Sequence, residues 1–280
     1  MINFVKSHGL GNDYIVIDGK DLKYSISKSM IKKICHRNYG VGSDGILMLC
    51  KSKRADYGLK IFNPDGTEAE KSGNGLRIFS SYLYKSKKIR KNKKITIETK
   101  GGIVTSQFIK RVGKKTFIKV EMGRASFDKS KIPINIKSSE KECLNKKIKI
   151  DKKNFLFQGV SVGNPHCVIF QKNISEKDAK FYGEKIERHH FFPKRTNVQF
   201  AKILDKNNVQ IEIWERGAGY TLASGSSSCA VVSAGFMLGI LNNNVLVKMP
   251  GGKLRISIDN NFNLMMEGPV EDICSGKLNL

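Results

Sequence analysis

The sequence predicts an α+β fold made of two similar halves, each with mixed strands around one buried helix. Two observations carry this. The stretch "EKSGNGLRIFSSYLY" from Glu70 and the stretch "LASGSSSCAVVSAGFML" from Leu222 both run a Ser-Gly turn into an apolar segment with helical spacing. Strand-like and helix-like segments also recur in loosely the same order before and after the middle of the chain. The repeat implies an internal duplication that brings two equivalent helix starts face to face. Each start is headed by a serine, Ser72 and Ser224.

The elements follow in order. "DYIVID" alternates into an apolar run and reads as a strand, and "SKSMIKKICHRN" reads as a helix with a serine cap. "YGLKIFN" is a strand that ends in the turn "PDG". In the first repeated stretch Leu76, Phe79 and Leu83 fall at i, i+3 and i+7, one face of a helix. "KITIETKGGIVTSQFI" is a hairpin around Gly101-Gly102, and "KTFIKVEMG" adds a strand. In the second half "FLFQGVSVGNPHCVIF" reads as strand, turn and strand, and "EKDAKFYGEKIERHH" as a helix. "TNVQFAKIL" and "NVQIEIWE" are strands. The helix "CAVVSAGFMLGIL" is apolar all round and therefore buried. "VLVKMPGGKLRISI" and "FNLMMEGPV" close the second half, and the boundary between halves falls in the lysine-rich stretch 123–150.

Composition excludes several classes. In 280 residues no apolar run reaches the roughly 18 needed for a membrane span, so no membrane partner is expected. "MINFVKSHGLGNDYIVID" lacks the pattern of a signal peptide, which leaves a cytoplasmic location as the expectation. The six cysteines have no zinc-like or redox spacing and read as free thiols. The formal charge of +25 first suggests nucleic acid. It is carried mostly by lysine spread along the chain, whereas arginine is what bidentate phosphate recognition favours, so no specific nucleic-acid partner is expected.

A helix start has unpaired N–H groups and a partial positive charge, which together make an anion site. Glycines at 73, 75 and 225 let a ligand approach the backbone. Serine is also the commonest N-cap, and spacing alone favours that use for Ser72 and Ser224. "GVGSDG" at 40–45 fits a dinucleotide fingerprint literally, but it follows a helix and nothing helical opens after it. His189-His190 lies in a charged stretch and is expected to be solvated. His166, after a Gly-Asn-Pro turn beside apolar strands, fits a structural or a functional role equally.

Seven stretches taken in order resemble the diaminopimelate epimerase family of cofactor-independent amino-acid epimerases. They are "HGLGNDY" (8–14), "GVGSDGIL" (40–47), "NPDGTEAEKSGNG" (63–75), "VGNPHCVIF" (162–170), "FFPKRTNVQF" (191–200), "WERGAGYTLASG" (214–225) and "MPGG" (249–252). The resemblance implies two pseudo-symmetric halves, each a mixed sheet or barrel around a central helix, with an active-site cleft between them. The expected halves are 1–122, completed by a C-terminal strand at 269–280, and 123–268. It implies an isomerase that interconverts LL- and meso-diaminopimelate by two-base proton transfer at the α-carbon, in lysine and peptidoglycan precursor synthesis. No cofactor and no metal are implied, and the expected partners are an amino-acid substrate and a second copy in a homodimer. Asn12, Asn63, Asn164, Asn197 and Arg216 match substrate-holding residues. Gly73-Asn74 and Gly225-Ser226 match the two helix starts that bind the reacting carboxylate. His166 and Glu215 match a pair that tunes the catalytic groups.

The departure lies at the catalytic positions, where the family has cysteines and this chain has Ser72 and Ser224. A thiol near pKa 8.5 is readily ionised at a helix start, whereas a serine hydroxyl needs an adjacent base. Little epimerisation at neutral pH is therefore expected unless a neighbour, His166 or Glu215 first, activates the serines. Three explanations stand: deliberate Cys→Ser changes, a natural relative that no longer epimerises, or altered chemistry as in the related proline racemase branch. Tyr220, Ser226 and Ser227 also depart from the family's usual Glu, Thr and Gly, which favours a natural variant. Alternative functions are racemisation or elimination on another amino acid, or silent binding of diaminopimelate. Cys229 lies five residues beyond Ser224 and reads as a buried core thiol.

Overall fold

A computed structural model describes residues 1–22, 24–87, 89–90, 92–136 and 139–279. Lys137 and Ser138 of the lysine-rich stretch, and Leu280 of the C-terminal strand, lie outside the described residues. The chain forms two compact units, Met1–Glu121 with Glu267–Leu280, and Met122–Met266. Among the described residues no helix is long and apolar enough to cross a membrane.

The first unit runs β1 (Ile2–Gly9), β2 (Asn12–Asp18), α1 (Lys28–Cys35), β3 (Ile46–Cys50), β4 (Tyr57–Phe62), β5 (Glu68–Ala69), α2 (Gly73–Ser86), β6 (Lys94–Thr99), β7 (Gly102–Val112) and β8 (Lys115–Arg124). The second runs β9 (Lys146–Ile150), β10 (Lys153–Ser161), β11 (Pro165–Phe170), α3 (Glu176–Glu187), β12 (Asn197–Asp205), β13 (Asn208–Glu215), β14 (Gly219–Thr221), α4 (Gly225–Met237), β15 (Asn244–Met249), β16 (Gly252–Ile258) and β17 (Asn263–Leu278). The last strand returns to the first unit, where it pairs antiparallel with β1 from Ile2↔Leu278 onward.

Pairing repeats between the units. β2–β3 is parallel and β3–β4 antiparallel, and β11–β12 and β12–β13 follow the same pattern. The next strands, β6 beside β4 and β15 beside β13, are parallel, and each opens a Gly-Gly hairpin. In each unit one helix links the parallel pair, and a second sits between a short strand and the hairpin. α2 and α4 are those second helices, so Ser72 and Ser224 occupy equivalent places in the two topologies.

Burial explains both. Leu76, Phe79 and Leu83 are fully inaccessible, as the helical spacing predicts, and so are Ala230, Val231, Val232 and Ala234 of α4. Ser228 and Ser233 tolerate that interior because their hydroxyls donate to the carbonyls of Ser224 and Cys229, four residues back, at 2.8 Å each. Cys229 is buried as expected, and the six cysteines are thiols rather than disulfide partners. α1 and α3 are amphipathic by contrast. Ile31 and Ile34 join a core with Phe4, Ile15 and Ile46, while Ala179 and Ile186 pack against Phe155, Phe157 and Phe200.

Candidate active site

In the first unit Ser72 is the N-cap of α2, and its Oγ accepts the Gly75 N–H at 3.0 Å. Gly75 has to be small, because a Cβ there would sit 3.1 Å from Ser72 Oγ and 3.0 Å from Leu47. Gly73 and Asn74 open the helix. Asn12, the first residue of β2, donates through Nδ2 to Asp44 at 2.8 Å, and its Oδ1 accepts from Asn74 Nδ2 at 3.2 Å. The fully buried Arg77 donates to Asn74 Oδ1 at 2.7 Å. Arg37 anchors the other end, lying 2.7 Å from Asp44 and 3.0 Å from Asp13. Lys6 also lies 3.0 Å from Asp13. Burial alone would raise the Asp13 carboxyl, but the hydrogen bonds and charges of Arg37 and Lys6 outweigh it and hold the group below its ordinary value. A continuous hydrogen-bonded chain thus fixes two of the predicted substrate residues, Asn12 and Asn74. Asn63 closes its own turn, donating to Thr67 Oγ1 at 2.9 Å.

In the second unit the predicted residues gather at one end of the β11–β12–β13 ladder. His166 and Asn197 are register partners on the parallel pair. His166 is fully buried, with Nε2 2.9 Å from Asn164 Oδ1. Asn197 donates to the Pro165 carbonyl at 2.8 Å and accepts the Arg216 backbone N–H at 3.0 Å. Burial lowers the His166 pKa to about 3; hydrogen bonding with Gln199 opposes the shift and the charge of Arg216 adds to it. The ring is therefore neutral across the physiological range. Glu215 ends β13, and burial raises its carboxyl while hydrogen bonding from Ser224 and Thr221 opposes the rise. Ser224 caps α4 and accepts the Ser227 N–H at 3.4 Å; Ser226 Oγ lies 3.4 Å from Ser224 Oγ. Gly225 opens α4. The Arg216 guanidinium is exposed and donates to the Lys194 carbonyl at 3.3 Å.

Both serines are thus N-caps, the use that spacing favours. Several contributors escape sequence reasoning. Gln199, inaccessible on β12, donates to Ser227 Oγ at 3.0 Å. The buried Glu187 accepts Trp214 Nε1 at 2.7 Å and Gly217 N–H at 3.0 Å, which pins the loop carrying Arg216. Asp44 was legible only as part of "GVGSDG", a motif followed by β3 rather than by a helix. His190 is exposed as expected, but His189 is partly buried and its Nδ1 accepts the Phe191 N–H at 3.2 Å.

The fold is shared with several solved proteins. A hydroxyproline epimerase from Agrobacterium vitis, solved with bound trans-4-OH-L-proline, superposes with a TM-score of 0.71 at 13% identity, covering 99% of this chain and 90% of that one. A Bacillus anthracis phenazine biosynthesis protein of the PhzF family gives 0.70 at 16% identity, covering 100% and 99%. Sequence narrows the class. The profile of the family described as "Diaminopimelate epimerase" matches residues 4–128 and 159–273. "Diaminopimelate epimerase 2" of Nostoc sp. is 49% identical over 278 residues, covering 99% of this chain and 95% of that protein. "Diaminopimelate epimerase" of Halothermothrix orenii is 37% identical over 279 residues, covering 99% and 98%. The chain belongs to the diaminopimelate epimerase family, and by that membership it is an isomerase.

Proposed function

We propose that this protein interconverts LL- and meso-diaminopimelate without a cofactor, with Ser72 and Ser224 serving opposite faces of one α-carbon. The observation that carries the reading is the repeated one: two serine-capped helix starts at equivalent places in two topologically matched units, each with ordered polar groups around it. The N–H groups of Gly73, Asn74, Gly225 and Ser226 stabilise the carboxylate as negative charge develops on it. Asn12, Asn63, Asn164, Asn197 and Arg216 hold the far amino-carboxylate end. Asparagine can donate to a carboxylate and accept from an ammonium, and arginine forks onto a carboxylate.

At the Ser224 face, Glu215 is the proton acceptor that a serine requires. Its carboxyl, raised by burial, is a stronger base than an ordinary carboxylate. His166 stays neutral and orients the site. Lysine-dominated charge leaves nucleic acid outside the reading; cytoplasmic residence and a homodimer are part of it. Calorimetry with meso-diaminopimelate, lysine and proline tests the substrate. Tight binding of diaminopimelate alone is expected, and preference for a short amino acid would contradict the reading.

A further inference from the structure

The first serine also has a titratable partner, one that no motif pointed to. Tyr14 lies on β2, is 8% exposed, and places its Oη 3.3 Å from Ser72 Oγ. The ring reaches this position because residue 45 has no side chain. A Cβ on Gly45 would stand 2.8 Å from Tyr14 Cε1 and 2.4 Å from the Phe62 carbonyl. The glycine motif at 40–45 thereby acquires a use: its Asp44 holds Asn12, and its last glycine makes room for Tyr14.

Ser72 is arranged to pass a proton on. Its Oγ already accepts the Gly75 N–H, so its own hydrogen is free to point elsewhere. A phenol titrates near 10, several units below an aliphatic hydroxyl, and is the better proton source and sink. The two helix starts also differ in charge. Five residues past Ser72 stands the buried Arg77, whereas five past Ser224 stands the buried Cys229. Asp13 and Asp44 are neutralised by Lys6 and Arg37.

We propose that Tyr14 is the proton partner of Ser72, acting on substrate through the Ser72 hydroxyl. The inference rests on the substrate reading above. When the Ser72 face delivers a proton, the Ser72 O–H bond breaks as the carbanion's electron pair forms the new C–H bond. The Tyr14 O–H bond breaks in turn and its proton restores the Ser72 hydroxyl, leaving a phenolate. In the opposite direction the α-proton passes to Ser72 Oγ, and the former Ser72 proton goes to the phenolate. Nothing is oxidised or reduced, and solvent water resets the phenol between turnovers. Tyr14 does not touch the reacting atoms, so it positions and proton-couples Ser72.

The test is a double-mutant cycle with Tyr14→Phe and Ser72→Cys, read by kcat and KM for inversion, by α-deuterium uptake, and by calorimetry with meso-diaminopimelate. In the serine protein Tyr14→Phe is expected to lower kcat by about 10²- to 10⁴-fold with KM and binding unchanged. In the Ser72→Cys protein the same change should cost only a few-fold, because a thiol ionises unaided. Equal losses in both backgrounds would show a merely structural role and overturn the proposal, as would no loss in the serine protein. Replacing Tyr14 by a fluorotyrosine, which alters acidity and hardly alters shape, decides the matter where a variant fails to fold or is inactive. A kcat unmoved by that change overturns the proposal. An unmodified protein that binds diaminopimelate but exchanges no α-proton overturns it while leaving the substrate reading intact; one that does not bind removes both.

Discussion

The side-chain oxygen of Asn197 accepts the backbone N–H of Arg216 at 3.0 Å, while its amide nitrogen donates to the carbonyl of Pro165 at 2.8 Å. One buried asparagine thus ties the arginine loop to the strand that carries His166. Asn197 holds the backbone rather than the guanidinium, which is exposed and donates to the Lys194 carbonyl at 3.3 Å. Arg216→Ala should weaken diaminopimelate binding by roughly 2–5 kcal/mol, the cost of leaving a desolvated carboxylate without its charged partner. Calorimetry showing unchanged affinity would remove Arg216 from the site.

His166 gives a pH prediction whose sign follows from burial. Its folded pKa, about 3, lies below the unfolded value near 6.5. The contribution to stability is fully present above pH 6.5 and is lost as pH falls toward 3. Between these limits it amounts to about 1.4 kcal/mol per pH unit for one proton. Denaturant melts of the native protein and of His166→Gln at pH 7, 5.5 and 4.5 should show a shallower decline for the variant. Parallel declines would contradict a buried neutral imidazole. The rate of catalysis, likewise, should show no inflection near 6.5 belonging to this ring.

Arg77 is fully buried and bonded to Asn74 at 2.7 Å, so Arg77→Met keeps much of the volume but removes that donor. The expected result is a loss of about 1–3 kcal/mol of stability, from the unpaired Asn74 oxygen, together with weakened substrate binding. Thermal melts and calorimetry check the two halves of this statement independently. Unchanged binding in a destabilised protein would confine Arg77 to the core.

Gly45→Ala forces a methyl against the Phe62 carbonyl and the Tyr14 ring, at 2.4 and 2.8 Å before relaxation. Overpacking of this kind costs about 1–3 kcal/mol. A crystal structure of the variant should show Tyr14 Oη displaced from Ser72. An undisturbed pair would mean that the loop, not the ring, gives way.

The sequence made some of this legible and hid the rest for identifiable reasons. The apolar faces of α2 and α4 were readable because 3.6-residue spacing is a local property, and Leu76, Phe79 and Leu83 are buried as that spacing requires. The duplication was readable because two Ser-Gly turns lead into two apolar runs. The pairing of Ile2 with Leu278 was not, since strand partners so far apart leave no local trace. A charged residue in a helical stretch carries no local sign of burial, and only packing shows that Arg77 is inaccessible. The roles of Asn12, His166 and Arg216 came from family resemblance rather than from spacing. Tyr14 was visible in "HGLGNDY", but its contact with Ser72 spans 58 positions and depends on a glycine in a third segment. The neighbours of both serines alter the expectation drawn from hydroxyl acidity alone, because each hydroxyl has a titratable group beside it.

The most direct measurement of the central claim is α-deuterium uptake and chiral analysis of LL-diaminopimelate incubated with the unmodified protein in heavy water, beside the Ser72→Cys/Ser224→Cys double variant. Inversion by the serine protein, with one solvent deuteron at the inverted carbon, is predicted. The rate at pH 7 should be lower than that of the double variant, because a thiol is readily ionised at a helix start. A serine protein that binds diaminopimelate but neither exchanges nor inverts it, while the double variant does both, would contradict the claim and mark the chain as a silent binder on an epimerase fold.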